Sequence, residues 1–329
     1  MIAAAPAPLF FVRVLANRHG KPAALLADGA GDAVALLGLV ESGLARALPA
    51  RVPCFVPAGL EPALGQAYAQ AGWKQVAPGA VFYATGKLDT SQLPPAAQWI
   101  DGDWYLTETA RAAGAQAASR SLALQLVQLV GADADTHEIE ALLRQDVALS
   151  YHLLRLVNSL GVGGGRKVNS FGQAILILGR QQLRRWLNLM LFAAGKGDVR
   201  GAMLLSRVAM RGRAVELLAK ASGLDKNMQE QGFMAGIFSL LGVLFGMPLA
   251  EALAPLAISD GVRDALLERE GELGALLALV ESAERGDLAN VAARLASLQL
   301  DADSFNEAVL EAAAWMLEVV NETRGTING

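Results

Sequence analysis

Histidine and cysteine are scarce in this chain: His19, His137, His152 and Cys54 are all there are in 329 residues. One thiol excludes an internal disulfide framework and fits a reducing, cytoplasmic setting. No histidine follows residue 152, so a histidine-rich metal site has no ligands across the second half. Aromatic residues make up only 6% although 53% of the chain is hydrophobic. Ala and Leu must then supply most of the core, which suits closely packed helices. No basic segment followed by an apolar one opens the chain, so no signal peptide is read. One charge-free run, Gln231 to Ala250, reaches the length of a membrane span. Gln231, Gly232, Ser239, Gly242, Gly246 and Pro248 interrupt it, and it reads as a buried central helix ending near Phe245.

The length fits two domains. Residues 1–115 alternate short strands and helices: strands at 8–16, 22–27, 52–56, 80–84 and 98–100, helices at 33–48 and 62–71. Such alternation implies a partly parallel sheet covered by helices. Residues 88–115 form the junction, with Pro94-Pro95 and Gly102 as breakers. From 116 to 329 the pattern is helical throughout, with Ser259-Asp260, Asp287 and Asp303-Ser304 as helix starts. The expected class is α+β: a small α/β domain followed by an all-helical one. Charge divides unevenly, with a balance of +7 over residues 116–220 and −11 over residues 221–329. That polarity suits partners of opposite sign, or two halves that neutralise each other inside one fold.

The stretch from Arg144 to Phe192 organises the helical part. Asp146 precedes an apolar face of Val147, Leu149, Leu153, Leu154, Leu156 and Val157; Gly161 to Gly165 end that helix. A short helix with Ala174, Ile175, Ile177 and Leu178 follows, Gly179 allows a change of direction, and the next helix sets Arg184 and Arg185 beside Leu183, Trp186 and Leu187. The order D-x-x-L-S-x-x-L-L-R-L-V-N-S, a glycine loop, S-x-x-Q-A-I-x-x-L-G and L-R-R-W resembles the HDOD domain. The resemblance implies an all-helical, generally non-catalytic relative of the HD phosphohydrolases in bacterial signalling. The RRW variant is similar to the subgroup in which an EAL-type domain precedes HDOD. The opening FVRVLANRHGKPAALL and the element order resemble the start of an EAL barrel, which in active members hydrolyses cyclic di-GMP.

Departures from both families decide the expected activity. An active EAL site needs a ring of carboxylates and an Asn to hold two metals. No E-x-L-R strand motif occurs in residues 1–115, and 115 residues are too few for a closed barrel. Glu140-Ala141-Leu142 and Glu251-Ala252-Leu253 read as chance matches on helices. The N-terminal region is expected to be a shortened, degenerate EAL remnant. The HD helix reads roughly A-G-L-L-H-D-I-G in metal-binding relatives; here it is Ala235 to Gly242, with Ser239 and Leu240 at the degenerate His-Asp position.

Smaller features read mainly as structure. His152 reads as a half-exposed helix residue and Cys54 as a small buried hydrophobe. Gly161 to Gly165 lacks the G-K-[ST] ending of a phosphate loop. Asp101 to Tyr105 reads as an exposed turn with a packed Trp, with a ligand site as the alternative. The basic cluster Arg166, Lys167, Arg180, Arg184, Arg185 with Trp186 is the candidate interaction patch, able to clamp a phosphate or carboxylate. No helix-turn-helix signature accompanies it, which argues against sequence-specific nucleic-acid binding. The expected function is a non-enzymatic signalling protein that holds other signalling proteins, with no metal or cofactor and with self-association open. The alternatives are a cyclic di-GMP receptor without hydrolysis and, third, a metal-dependent phosphodiesterase.

Overall fold

The computed structural model describes residues 8–30, 33–40, 43–107, 114–132, 134–143, 171–193 and 198–324. Six strands form one sheet: β1 (Leu9–Asn17), β2 (Pro22–Ala30), β3 (Cys54–Val56), β4 (Lys74–Gln75), β5 (Val81–Tyr83) and β6 (Trp99–Asp101). Their spatial order is β4-β3-β2-β1-β6-β5. β1 runs antiparallel to β2 and to β6, while β2, β3 and β4 are mutually parallel, as are β5 and β6. Sequence neighbours are therefore spatial neighbours all the way round except between β4 and β5. This is the order of a ring cut once.

The sheet curls. Phe55 of β3 and Trp99 of β6 sit three strand steps apart, roughly 14 Å in a flat sheet, yet their ring centroids are 5.4 Å apart. Leu15, Ala24 and Leu26 are buried on the same concave face, with Phe55, Val81 and Trp99 packed against them. Helices α1 (Ala33–Val40), α2 (Gly43–Ala47) and α3 (Pro62–Gln70) belong to the outer layer, where Trp73 packs edge-on to Phe10 and donates to Ala45 O at 3.0 Å.

The helical part comprises α4 (Gly114–Gly131), α5 (Thr136–Leu143), α6 (Phe171–Ala193), α7 (Gly201–Ala221), α8 (Lys226–Phe238), α9 (Leu241–Phe245), α10 (Leu249–Leu253), α11 (Asp260–Leu267), α12 (Gly271–Glu284), α13 (Leu288–Leu298) and α14 (Ala302–Arg324). Gly179 breaks α6 with φ 72°, ψ 160°, so the chain turns where the sequence places a flexible residue. The run expected to be one central helix is two, α8 and α9, divided at Ser239 and Leu240. By composition, Lys226–Phe245 is long and apolar enough to cross a membrane, but half of that window is buried inside the protein. Asp225, Ser259 and Asp287 cap α8, α11 and α13 by accepting from the N–H three residues on. The last helix begins at Ala302, one residue before Asp303, with Asp301 accepting from Ser304 N at 2.6 Å.

Sheet and helices share a continuous core. α7 and α8 cross at glycines: a Cβ on Gly236 would lie 2.5 Å from Gly212 Cα. β6 reaches only Ala16 and Asn17 of β1, so the start of β1 has no strand on that side. Asn306 of α14, fully buried, fills the gap: its Oδ1 accepts from Phe10 N and its Nδ2 donates to Pro8 O, both at 2.8 Å. A side-chain amide thus does a strand's work.

Candidate functional site

The curl leaves a cleft of about 230 Å³ at one edge of the sheet, roofed by α7 and by the turn after α12. Asp28, Tyr83 and Asp101 reach it from at or near the C-terminal ends of β2, β5 and β6. In α/β folds that edge is where binding and catalytic groups collect. Arg13 of β1, Asp103 and Tyr105 of the following 3-10 turn, Arg207 of α7, and Glu284 and Arg285 complete the polar lining.

Two guanidinium groups order these carboxylates. Arg13 pairs with Asp101 through Nη1 and lies 3.7 Å from Asp28. Asp101 also accepts from Gly102 N at 2.8 Å, and Asp28 from Gly29 N at 3.1 Å. Gly102 sits at φ +97°, and a Cβ there would lie 2.4 Å from Ala84 O, so only glycine holds this turn. Across the cleft, Arg207 donates from Nε (2.8 Å) and Nη2 to Tyr105 Oη, lies 3.2 Å from Asp103 and 3.3 Å from Glu284. Both acceptor directions of the phenol oxygen are taken, which leaves its O–H as the donor. Burial raises the Tyr105 phenol above its ordinary value against the opposing pull of Arg207, so it keeps its proton. Arg285 is exposed beside it and donates to Ser282 Oγ at 3.2 Å. Tyr83 stands 59% exposed at the mouth.

The polar network continues into the helical part. Arg211, 4% exposed, donates from Nε to Glu284 at 3.0 Å, lies 3.4 Å from Glu281, and donates to Ser239 Oγ at 2.7 Å. Ser239 in turn donates to Gly236 O at 2.6 Å. At the degenerate HD position the serine is therefore bound to a guanidinium, and Leu240 beside it is buried. Burial opposes the charge of Glu284, but Arg211 and Arg207 outweigh it and hold the carboxyl below its ordinary value.

The sequence-predicted patch is placed differently from the cleft. Arg166 and Lys167 lie outside the described residues, as do Asp146, His152 and the Gly161–Gly165 loop. Arg180 donates to Ala134 O (2.8 Å) and Arg184 to Val130 O (3.2 Å), at and just beyond the C-terminal turn of α4, where cations offset the helix dipole. Arg185 pairs with Glu216 and, at 2.8 Å, with Glu230, and lies 4.2 Å above the Phe233 ring; Trp186 is buried. The opposite charge balances of the two halves are thus partly spent on each other. The stretch Asp101 to Tyr105, expected as an exposed turn, is instead mostly buried: Trp104 packs as foreseen, but Asp101 and Tyr105 are cleft walls. Among the described residues, no group of three His, Cys, Asp or Glu side chains is arranged to hold a metal ion.

Curated proteins resemble the chain in sequence. A cyclic di-GMP phosphodiesterase, CdgJ of Vibrio cholerae serotype O1, is 32% identical over 199 residues, 60% of this chain and 46% of its own length. The uncharacterized protein YuxH of Bacillus subtilis is 28% identical over 175 residues, 53% of this chain and 42% of its own length. The chain thus spans about half the length of the curated relatives it matches. No solved structure matches. The expectation of a non-enzymatic chain acting only by holding other proteins is overturned here, because a relative at 32% identity is named for a catalytic activity. That expectation rested on missing contiguous motifs, and the polar groups of the cleft come from six separate segments that no motif scan can join. Residues 120–270 match the HDOD domain, and the chain contains one.

Proposed function

We propose that this chain acts in the turnover of cyclic di-GMP, with the strand-edge cleft as the nucleotide site and the HDOD domain as its helical support. The observation that carries the reading is the convergence of Asp28, Tyr83 and Asp101 on the C-terminal edge of a curled sheet, opposite Tyr105, Arg207 and Arg285. The name of the Vibrio cholerae relative supports the choice of substrate. Residues 1–115 are taken as a reduced EAL-type barrel and 116–329 as the HDOD part. The cut-ring strand order and the single reversed strand favour that reading.

The chemistry of the walls suits a guanine nucleotide. The Asp28 oxygen that lies 3.7 Å from Arg13, outside hydrogen-bond range, accepts from the N–H edge of a guanine, the Tyr83 ring offers a stacking face, and Arg285 with the Tyr105 O–H faces phosphate oxygens. A cavity of about 230 Å³ is small beside pockets that enclose a whole drug-sized ligand, roughly 300–1,000 Å³. One nucleotide half enters, and the other rests over the mouth beside Tyr83. The carboxylates do not fit the two divalent ions that an EAL resemblance implies: three of the four oxygens of Asp28 and Asp101 accept from Arg13, Gly29 or Gly102, and the fourth lies 3.7 Å from the Arg13 guanidinium.

Titration calorimetry of cyclic di-GMP into the protein, with Arg285→Ala and Tyr105→Phe alongside, tests this placement. Binding weakened at least about tenfold in either variant supports the cleft. Unchanged binding in both, or none in the parent protein, overturns it.

A further inference from the structure

The disagreement between the carboxylates and a metal is informative in itself. Arg13 projects from β1 on the concave face, flanked by Asp28 of β2 and Asp101 at the end of β6. Asp101 has only 8% of its side chain exposed, and an unpaired charge at that depth is costly. A cation must accompany it, and among the described residues the backbone supplies one donor to its side chain, Gly102 N. The guanidinium provides the positive charge: it donates from Nη1 to Asp101, and its Nε lies 3.7 Å from Asp28 as an ion pair without a hydrogen bond. A divalent ion at the same point would need oxygens free of N–H donors and space for at least six ligands. While Arg13 is there, both Asp101 oxygens are engaged, by Gly102 N and by the guanidinium, and the guanidinium stands beside Asp28 as well.

We propose that Arg13 is the resident cation of this site: its guanidinium takes the place of a divalent ion between Asp28 and Asp101, so the cleft engages a phosphate-bearing ligand without divalent metal. The inference builds on the cleft, but its principal readout is metal uptake, so it stands or falls separately from the cyclic di-GMP reading. Removing the guanidinium leaves two carboxylates facing each other, with Asp103 on the next turn, and a hard cation becomes the replacement that restores neutrality.

The test is Mn²⁺ binding, followed by electron paramagnetic resonance, to the full chain and to Arg13→Ala, with Arg13→Gln as a second variant should the alanine protein fail to fold. The parent protein takes up no Mn²⁺ at the cleft, and its ligand binding is the same in EDTA as in Mg²⁺. The variant binds Mn²⁺ at least about tenfold more tightly than the parent, and the added Asp101→Asn change abolishes the gain. Mn²⁺ uptake by the parent that Asp101→Asn removes, ligand binding lost in EDTA, or a folded variant with no gain in Mn²⁺ would each overturn the proposal.

Discussion

Arg207 of α7 and Glu284 of α12 lie 3.3 Å apart, and Glu284 also receives Arg211 from one turn further along α7. One carboxylate therefore balances two guanidiniums, joining the wall of the cleft to Ser239 at the end of α8. Its own side chain is 7% exposed. Replacing Glu284 with Ala removes the shared partner of two buried guanidiniums and leaves Arg207 only Asp103, and Arg211 only Glu281, as a carboxylate partner among the described residues; loss of one partner from a buried pair costs about 3–5 kcal/mol. Chemical denaturation of Glu284→Ala is expected to show a loss of that size, with the transition slope unchanged.

The same carboxylate makes stability depend on pH. Glu284 titrates below its ordinary value of 4.5 when folded. Its contribution is fully present above that value and disappears as pH falls through the lower folded value. Melting temperature measured from pH 7 to pH 3 is expected to fall more steeply below about 4.5 in the parent than in Glu284→Gln, whose deficit narrows on acidification.

Asn306 offers a sharper test of the join between β1 and α14. Substitution by Leu leaves Phe10 N and Pro8 O without partners inside the core. Each unsatisfied backbone group costs about 1–3 kcal/mol. Asn306→Leu is expected to lose roughly 2–6 kcal/mol on that basis, and the amide of Phe10 is expected to lose its protection from hydrogen exchange.

Cys54 is 2% exposed and its thiol, pushed up to about 12 by burial, donates to Val52 O at 3.4 Å. A disulfide reagent at pH 8 is expected to label it only as fast as the protein unfolds. Labelling of the native protein within seconds contradicts its burial.

Local signals in the sequence carried a good part of the fold. The boundaries of α13 match because Asp287 caps the helix from an adjacent position and the apolar period does not change. The turn at Gly179 matches because positive φ is a property of one residue. β4 went unread because Lys74 and Gln75 are exposed and polar and are held only by backbone pairing to Phe55 and Val56. The division of Lys226–Phe245 was missed because Ser239 turns its hydroxyl back to Gly236 O and receives Arg211, 28 residues away. The cleft was legible only at one corner. Asp101 to Tyr105 stood out as acid beside aromatics, but Arg13, Arg207 and Glu284 join them through contacts spanning most of the chain. The arginines of α6 showed a similar limit: sequence displays their charge, whereas the packing of α7 and α8 decides that Arg185 turns to Glu216 and Glu230.

The measurement that bears most directly on function is chromatographic detection of linear dinucleotide after the purified chain is incubated with cyclic di-GMP, with Tyr105→Phe and Arg285→Ala in parallel. Turnover in the parent that falls at least about tenfold in each variant is the predicted result. No product from the folded parent, or product formed equally by both variants, would contradict turnover at this cleft.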